Sequence, residues 1–423
     1  MARSRLFPGW YVVIGSGVGI GTGSVPFFAS SFALLAAAMA KQFGWQQAEV
    51  ATAASIYLLM QTVAYPLCGW PLDRFGSRKF AGVSIVLFAI CLVVLSQIAN
   101  LWQLYAAFAL MGLIAAGTNV VSYARAITLW FNRRRGLAMG LAASAQAVGA
   151  FGMPIAMQHL IGAHGWPVAL SVFAVFELIV ALPLVALLVK DSPATYGLAA
   201  DGVPATPAAE ISAATAEHDM TVGEVIRTGT FWKLAISFAI MGMSFYAIAP
   251  NIAYILTKKA GMTLGDVAVV QAVAGIATLF GRIGFGHLLD RFHAPLIAVA
   301  ALALTASCAA IYSVTAVSGL IIFATVLNGL AIGGDTDLMP YLASRYFGVH
   351  AVSRIFGWFL FAFFLGAAVG PVAFAKLSAF YGSADTPLMM LAALQIVPAA
   401  LFLSLGRYQG VAGLVSGRRL ETT

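Results

Sequence analysis

Twelve long apolar segments constrain this sequence more than any other feature. A helix needs about 20 predominantly apolar residues to cross the hydrocarbon core of a bilayer. Because backbone polar groups in lipid must bond within their own helix, we expect an all-α integral membrane protein with twelve transmembrane helices. The segments lie near residues 10–38, 48–71, 80–98, 102–130, 136–162, 166–189, 231–256, 265–288, 294–315, 318–344, 352–380 and 386–406.

The composition excludes a soluble globular protein. Charged residues make up 9% of the chain, against about 25% in a soluble domain, which is too few to cover its surface in water. Cys68, Cys91 and Cys308 lie singly in apolar segments without the spacing of metal ligands, so we expect no metal and no cofactor. The net charge of +8 falls in short gaps between apolar segments, which favours membrane orientation over nucleic-acid binding.

One long polar stretch divides the chain. Residues 191–229 are rich in Ala, Pro and Thr and carry several acidic residues, a composition typical of a linker. We therefore predict an N-terminal six-helix bundle at 1–190, a cytoplasmic linker at 191–229, a C-terminal six-helix bundle at 230–408 and a cytoplasmic tail at 409–423.

The two predicted bundles share an internal repeat. The run GWPLDRF at 69–75 recurs as GHLLDRF at 286–292, and we call the separation between these two runs the repeat offset. The same offset relates Gly140 to Gly357 and Pro154 to Pro371. A single recurring offset indicates a duplicated six-helix unit, the parallel-repeat arrangement found in secondary transporters.

The distribution of Lys and Arg predicts the orientation in the membrane. If the N-terminus is cytoplasmic, the gaps on that side hold 17 of the 23 basic residues and the outer gaps hold 4. Cytoplasmic loops of membrane proteins carry such an excess. We therefore expect a multi-pass protein of the inner (plasma) membrane with both termini cytoplasmic. The remaining two, Arg125 and Arg282, fall inside predicted helices.

The loop after the second predicted helix carries a specific motif. Residues 69–79 read GWPLDRFGSRK and resemble the loop between helices two and three of the major facilitator superfamily. The resemblance implies two pseudo-symmetric six-helix bundles that transport by alternating access. Its Asp and Arg could pair across helix ends as a conformational latch, whereas the alternative is a loop that only fixes topology. The latch candidates are Gly69, Asp73, Arg74, Arg78, Gly286, Asp290 and Arg291.

Three shorter patches resemble the monocarboxylate and oxalate/formate branch of this superfamily. They are WFNRRRGLAMG at 130–140, PGW at 8–10 and YFG at 346–348. The monocarboxylate branch has its substrate-binding arginine on helix eight. The position that matches here is Arg282.

Arg282 is a substrate-binding candidate on physical grounds as well. A charge near the bilayer centre costs at least about 2.5–3.5 kcal/mol unless it is paired or wetted. A guanidinium offers a planar fork that matches a carboxylate, and Gln271 and Thr278 share its helix face. The alternative is a structural ion pair with an aspartate of helix ten.

Two aspartates of predicted helix ten are candidates for proton coupling. Asp335 and Asp337 are two residues apart and therefore about 200° apart around the helix, so they cannot both face one cavity. Burial favours the protonated form of a carboxylate, as a proton-coupled carrier requires. In the alternative interpretation, one aspartate pairs with Arg282 and the other makes a helix contact.

Four other polar residues inside helices remain open to interpretation. Asn119 and Tyr123 could reach a substrate carboxylate or hydroxyl, although such residues more often join helices. Arg125 could be a second anion contact, but a structural ion pair is favoured. Glu177 has no obvious partner in the sequence.

The chain departs from the family at three positions where relatives carry charges. Phe27 and Phe28 stand where animal monocarboxylate carriers place a lysine, and Thr278 stands where they place an aspartate. The oxalate/formate exchangers place a lysine in helix eleven, near which this chain has Phe364 to Gly366. A monoanion that faces one arginine is therefore favoured over a dianion held by two cations, and coupling must use other residues.

Together these features predict a secondary transporter of a small organic monocarboxylate, similar to lactate or pyruvate, with proton symport favoured. The alternatives are an organic anion exchanger of the oxalate/formate type and an efflux carrier for amphipathic or aromatic compounds. An efflux pump for neutral or cationic drugs would not need Arg282.

We expect no enzyme, because no HExxH or GxSxG motif lies in an apolar segment, and no sensor, because no signalling domain is added. The expected partners are a small organic anion, a proton or counter-anion, and the lipid bilayer, and the expected state is a monomer.

Overall fold

Twelve helices long and apolar enough to cross a membrane make up most of the computed structural model, counted over the residues it describes. Those residues are 7–202, 222–248, 252, 256–257, 261–348, 352–406 and 408. The helices are α1 Gly9–Phe43, α2 Glu49–Phe75, α3 Ser77–Ser96, α4 Leu101–Trp130, α5 Arg135–His164, α6 Trp166–Leu188, α7 Gly229–Ile248, α8 Gly265–Arg291, α9 Ala294–Val314, α10 Ser318–Phe347, α11 Val352–Tyr381 and α12 Asp385–Leu403. The predicted all-α fold with twelve transmembrane helices is confirmed.

The chain divides into two compact units. Unit 1 comprises Met1–Ser212 together with Val352–Gly357, the first turns of α11. Unit 2 comprises Ala213–Ala351 and Trp358–Thr423. Unit 1 therefore contains α1 to α6, and unit 2 contains α7 to α10, α12 and most of α11.

The second helix of each repeat begins with the same kind of cap. Before α2, Gln46 and Glu49 form a reciprocal capping box, and before α8 the same box is made by Thr263 and Asp266. Each box satisfies backbone N–H groups that the first helical turn leaves without partners. The two boxes are also separated by the repeat offset, so the duplication extends to how these helices start.

Glycines set the packing between the first and fifth helices of each repeat. A Cβ on Gly149 of α5 would collide with the carbonyl oxygen of Gly21 in α1. A Cβ on Gly366 of α11 would collide with the carbonyl oxygen of Ala239 in α7. The repeat offset also relates Gly149 to Gly366, so each unit depends on a small residue for close helix approach.

Four membrane helices are irregular in the middle. A break at Gly23 divides α1 into Gly9–Thr22 and Ser24–Phe43, and the Ser24 N–H after the break donates to the Thr118 hydroxyl at 3.1 Å. Thr118 itself ends a 3-10 turn that interrupts α4. The sixth helix of each repeat is also irregular: α6 contains a π-helical segment at Glu177–Ala181, and α12 is interrupted at Gln395. Hydropathy alone does not predict such interruptions.

The predicted linker is partly structured where it is described. Short helices form at Pro193–Tyr196, Ala200–Gly202 and Val222–Ile226. Carboxylate oxygens of Asp191 and Asp201 accept hydrogen bonds from backbone N–H groups of unit 1, at 3.0 Å for Arg78 and Arg133. The start of this stretch therefore packs as part of unit 1 rather than as a free connector.

Some residues used in the sequence analysis lie outside the described residues. They are linker residues 203–221, the tail at 409–423, and the basic residues Arg3, Arg5, Lys258, Lys259, Arg407, Arg418 and Arg419.

Candidate functional site

Close packing of α8 against α10 buries Arg282. The exposed fraction of this arginine is 8%. A Cβ on Gly281 would collide with the carbonyl oxygen of Leu330, and a Cβ on Gly333 would lie 2.5 Å from the backbone nitrogen of Arg282. Because these glycines let the two backbones approach, the guanidinium lies next to a carboxylate on α10.

That carboxylate belongs to Asp337, which is 1% exposed. Arg282 Nη1 lies 3.6 Å from Asp337 Oδ1, a separation too long for a hydrogen bond. Among the described residues, neither carboxylate oxygen of Asp337 accepts a hydrogen bond. A buried charge pair repays its loss of hydration only with good geometry and further hydrogen bonds. The pair is therefore a site at which another anion could compete for the guanidinium.

Asp335 faces a different environment from Asp337. It lines a cavity of about 10 Å³ in unit 2, together with Asn328, Gln395 and Thr305. A volume of this size accommodates about one water molecule. One carboxylate oxygen of Asp335 has no hydrogen-bond partner among the described residues. The structure thus separates the two aspartates, with only Asp337 at Arg282.

The other two α8 candidates contribute less to this site. The Thr278 hydroxyl donates to the carbonyl oxygen of Ala274 in its own helix at 2.9 Å. Gln271 is exposed. Both remain on the helix face of Arg282, but the Thr278 hydroxyl is directed at its own helix rather than at the Arg282–Asp337 pair.

In unit 1, the helices α2 and α4 meet through neutral groups at the position that corresponds to Arg282. Asn119 Nδ2 donates to the Tyr65 hydroxyl oxygen at 2.8 Å, which joins α4 to α2. The Asn119 Oδ1 accepts the Val120 N–H at 2.6 Å and caps the second half of α4. The repeat offset relates Tyr65 to Arg282, and it relates Asn119 to Thr336, the neighbour of Asp337.

Tyr123 has different neighbours from Asn119. Its side chain is fully buried and lies against Gly19 of α1, where a Cβ would collide with the hydroxyl. The carboxyl of Glu177 in α6 is close enough to interact electrostatically with this hydroxyl. The structure therefore places Tyr123 of α4 within electrostatic reach of Glu177 in α6, which the sequence did not reveal.

Asp73 is the centre of a charged cluster at the end of α2. Its Oδ2 lies 2.8 Å from Arg354 Nε, and its Oδ1 lies 3.8 Å from Arg125 Nε. Gly69 permits this arrangement, because a Cβ there would lie 2.6 Å from the Arg354 Cα. We call Asp73, Arg125 and Arg354 the α2 charge cluster. All three belong to unit 1.

The basic residues of the loop motif have neighbours other than Asp73. The Arg74 guanidinium lies over the Trp70 ring, 5.2 Å from its centroid, and the Arg78 N–H binds Asp191. Arg354 was not predicted from the sequence as a partner of Asp73. One signal was present, since a basic residue in the first turn of a helix opposes the helix dipole and so suggests a carboxylate nearby.

In unit 2, the corresponding latch candidates lie at the end of α8. Gly286 is buried, Asp290 is partly buried and Arg291 is exposed. The Tyr341 hydroxyl of α10 donates to the carbonyl oxygen of Leu289 at 2.6 Å. The end of α8 is therefore tied to α10 by a neutral hydrogen bond beside Asp290.

Twelve helices in two repeats, counted over the described part of the chain and long and apolar enough to cross a membrane, define an integral membrane protein. The model of the Major Facilitator Superfamily matches residues 18–371, and matches again over 234–410. The chain belongs to this superfamily of transporters and is not an enzyme.

Relatives are similar along most of the chain at low identity. The uncharacterized MFS-type transporter YhjX of Escherichia coli K12 is 23% identical over 333 residues, 77% of each chain. Monocarboxylate transporter 13 of Bos taurus is 24% identical over 293 residues, which are 69% of this chain and 65% of that protein. The crystal structure of the human organic anion transporter MFSD10 superposes with a TM-score of 0.72 at 14% identity, covering 93% of this chain and 99% of that one.

Proposed function

We propose that this transporter carries a small organic monocarboxylate, such as lactate or pyruvate, together with a proton. The observation that carries the proposal is the buried Arg282, 3.6 Å from an Asp337 carboxylate that accepts no hydrogen bond from the described residues. A guanidinium can bind a carboxylate through two parallel hydrogen bonds. A substrate that supplies this geometry would compete well against Asp337.

Substrate binding and proton binding are linked in this arrangement. When a substrate carboxylate takes the guanidinium, Asp337 becomes a buried carboxylate without a cation, and its neutral form is then favoured. A proton on Asp337 therefore accompanies the substrate on Arg282. After release of the substrate, the proton leaves and Asp337 pairs with Arg282 again. The animal carriers have an aspartate where this chain has Thr278. In this proposal, Asp337 takes the role of that aspartate.

The relatives support an organic anion as the substrate. One is a monocarboxylate transporter by name, and a solved structure of the same fold is of an organic anion transporter. Within unit 2, the proposal retains Thr278, on the helix face of Arg282, as a polar contact for the substrate. It assigns Asn119 and Tyr123 to helix contacts within unit 1.

The α2 charge cluster is proposed as the latch of alternating access. Arg354 lies in the first turn of α11, a helix that otherwise belongs to unit 2. An ion pair between Asp73 and Arg354 stabilises whichever facing state brings them together. The excess of basic residues on one side of the predicted topology favours the cytoplasmic side for this cluster.

Uptake into proteoliposomes tests the proposed substrate class. Radiolabelled lactate, pyruvate, formate and oxalate are offered with and without an inward proton gradient. We expect gradient-driven accumulation of lactate or pyruvate and little of oxalate. Accumulation only in exchange for a preloaded anion would replace symport by exchange, and uptake of none of the four would contradict the proposal.

Arg282→Lys tests the site itself. The variant keeps the positive charge but loses the planar fork, so we expect uptake to fall at least about tenfold. Arg227→Lys, at an exposed position of the described linker, is the matched control and should leave uptake unchanged. Normal uptake by a well-folded Arg282→Ala protein would rule out an anion site at this arginine.

A further inference from the structure

Glu177 is a fully buried acid that the proposed transport mechanism does not use. It begins the π-helical segment of α6, near the middle of the membrane helix, and its exposed fraction is 0%. Within the described residues, neither carboxyl oxygen has a hydrogen-bond partner. Such a group needs a cation, a hydrogen-bond donor or a proton.

The described groups that face Glu177 offer no cation. From α1 the Thr22 hydroxyl interacts with the Glu177 carboxyl, although it donates to the Val18 carbonyl oxygen at 3.1 Å. From α4 the Tyr123 hydroxyl lies within electrostatic reach of the carboxyl. From α3, which is described throughout, the only titratable side chain in the membrane interior is the buried thiol of Cys91.

The basic residues of α3 are too far along the membrane helix. Arg78 and Lys79 lie in the first turn of α3, and the Arg78 N–H binds Asp191. Asp191 is 14 residues beyond Glu177, about 20 Å along a helix axis. An ionised Glu177 would therefore lack compensation from these residues, and the protonated form is the one this environment accepts.

The repeat offers a comparison in unit 2. Gln395 interrupts α12 at the position that corresponds to Leu178, next to Glu177. Its exposed fraction is 3%, and its Nε2 donates to the Ser244 hydroxyl of α7 at 2.7 Å. The counterpart of Leu178, one residue beyond the counterpart of Glu177, is thus a buried neutral amide. A protonated carboxyl is likewise neutral and has a similar shape, whereas a carboxylate carries a charge.

Two irregular turns beside Glu177 supply a way to exchange the proton. Its own π-helical segment is one, and π-bulges within helices frequently occur at functional sites. The other is the break of α1 at Gly23, directly after the partly exposed Thr22. Rearrangement of either turn would admit water to the carboxyl.

From this arrangement we propose that Glu177 is a proton-binding site of unit 1, separate from Arg282 and Asp337, which holds a proton while buried and releases it when α1 and α6 open at these turns. The binding step needs no co-reactant, because one carboxylate oxygen of Glu177 takes a proton from water and returns it to water. The proposal concerns unit 1 alone and does not depend on which anion is carried.

Infrared spectroscopy of the purified protein in liposomes tests the bound proton. The difference between wild type and Glu177→Gln should contain the carbonyl band of a protonated carboxylic acid at neutral pH, and this band should disappear reversibly at alkaline pH. Glu49→Gln, at the capping box of α2, is the matched control and should leave the band in place. Absence of the band at neutral pH, or its persistence at every pH, would overturn the proposal.

Hydrogen exchange tests the coupled opening. At alkaline pH, the amides of residues 20–24 and 177–181 should exchange about fivefold faster in wild type than in Glu177→Gln, because deprotonation favours the open turns. At acidic pH the two proteins should agree within about twofold. Equal exchange at both pH values would contradict release through these turns.

A second variant guards against a folding defect. Glu177→Asp keeps a titratable carboxyl and should retain both the band and the pH-dependent exchange. If Glu177→Asp loses both the band and the pH-dependent exchange while Glu177→Gln resembles wild type, the site does not bind a proton. Neither measurement includes a substrate, so failure of the monocarboxylate uptake assay would leave these results unchanged and the two proposals distinguishable.

Discussion

At the repeat positions of Tyr65 and Arg282, the second and fourth helices meet through different chemistry in the two units, although α2 and α4 also approach each other through Asp73 and Arg125 at 3.8 Å. In unit 1, α2 and α4 are joined by a neutral hydrogen bond of 2.8 Å between Tyr65 and Asn119. In unit 2, α8 and α10 are joined at the corresponding place by Arg282 and Asp337, 3.6 Å apart. The first contact has good hydrogen-bond geometry and the second does not.

This difference is the basis on which we propose a structural role for the Tyr65–Asn119 contact and a transport role for Arg282. A satisfied neutral hydrogen bond stabilises one helix arrangement and has little reason to exchange partners. A buried ion pair with incomplete hydrogen bonding is costly to maintain for stability alone. The duplication therefore created two equivalent positions, Tyr65 in unit 1 and Arg282 in unit 2. We infer that unit 2 uses this position for the substrate and that unit 1 uses it for packing.

Asp337→Asn is expected to have the largest effect, because it removes the carboxylate that compensates Arg282. Uphill uptake driven by a proton gradient should fall at least about tenfold, since no proton can then accompany the substrate. Counterflow at equal pH should survive, because exchange of one bound substrate for another moves no net proton.

A purely structural ion pair gives a different result for the same variant. Breaking a buried pair costs about 3–5 kcal/mol, so folded yield and counterflow would fall together. Adding Arg282→Gln would then partly restore the yield. Asp335→Asn is the matched control, because Asp335 faces the small cavity with Asn328 and Gln395, and it should retain gradient-driven uptake.

The glycine contacts test whether the two units pack alike. Gly149→Ala and Gly366→Ala each place a Cβ against a carbonyl oxygen of the facing helix, and overpacking of this kind costs about 1–3 kcal/mol. The thermal unfolding temperatures of the two purified variants should fall by similar amounts. Gly152→Ala, three residues further along α5 and with open space around its Cβ, should unfold like wild type. A large drop for only one of the two contact variants would show that the packing of the repeats is not equivalent.

The latch variants are expected to change rates by a smaller factor. Asp73→Asn should slow exchange between facing states about threefold to tenfold while substrate affinity is retained, because the Arg354 partner is lost. Turnover measured by counterflow and affinity measured by substrate binding separate the two quantities. Arg354→Gln should have the same effect, and the double variant should add little to it. A tenfold loss of affinity with normal turnover would assign Asp73 to binding rather than gating.

Hydropathy and the repeat were sufficient to predict the fold, because each membrane helix is determined by its own apolar length. Arg282 could be identified from the sequence as a charge inside the membrane, because a charged residue stands out in an apolar segment. Its partner could not be identified, because the helical angle between Asp335 and Asp337 fixes their relative direction but not which one faces α8. The contacts of Glu177 with α1 and α4, and of Asp73 with Arg354, join residues that are far apart in the chain, and local patterns carry no information about them.

The smallest effect is expected for Tyr65→Phe, which removes only the hydroxyl that accepts from Asn119. Hydrogen bonds between membrane helices contribute about 0.6 kcal/mol on average, so uptake should change by less than about threefold and the unfolding temperature only slightly. The ring remains, so packing of the fully buried Tyr65 is retained. The comparison between units would fail if this neutral substitution reduced substrate affinity as strongly as Arg282→Lys, because unit 1 would then contribute to anion binding as much as unit 2. Equilibrium binding of radiolabelled substrate to both purified variants, measured side by side, decides between these outcomes.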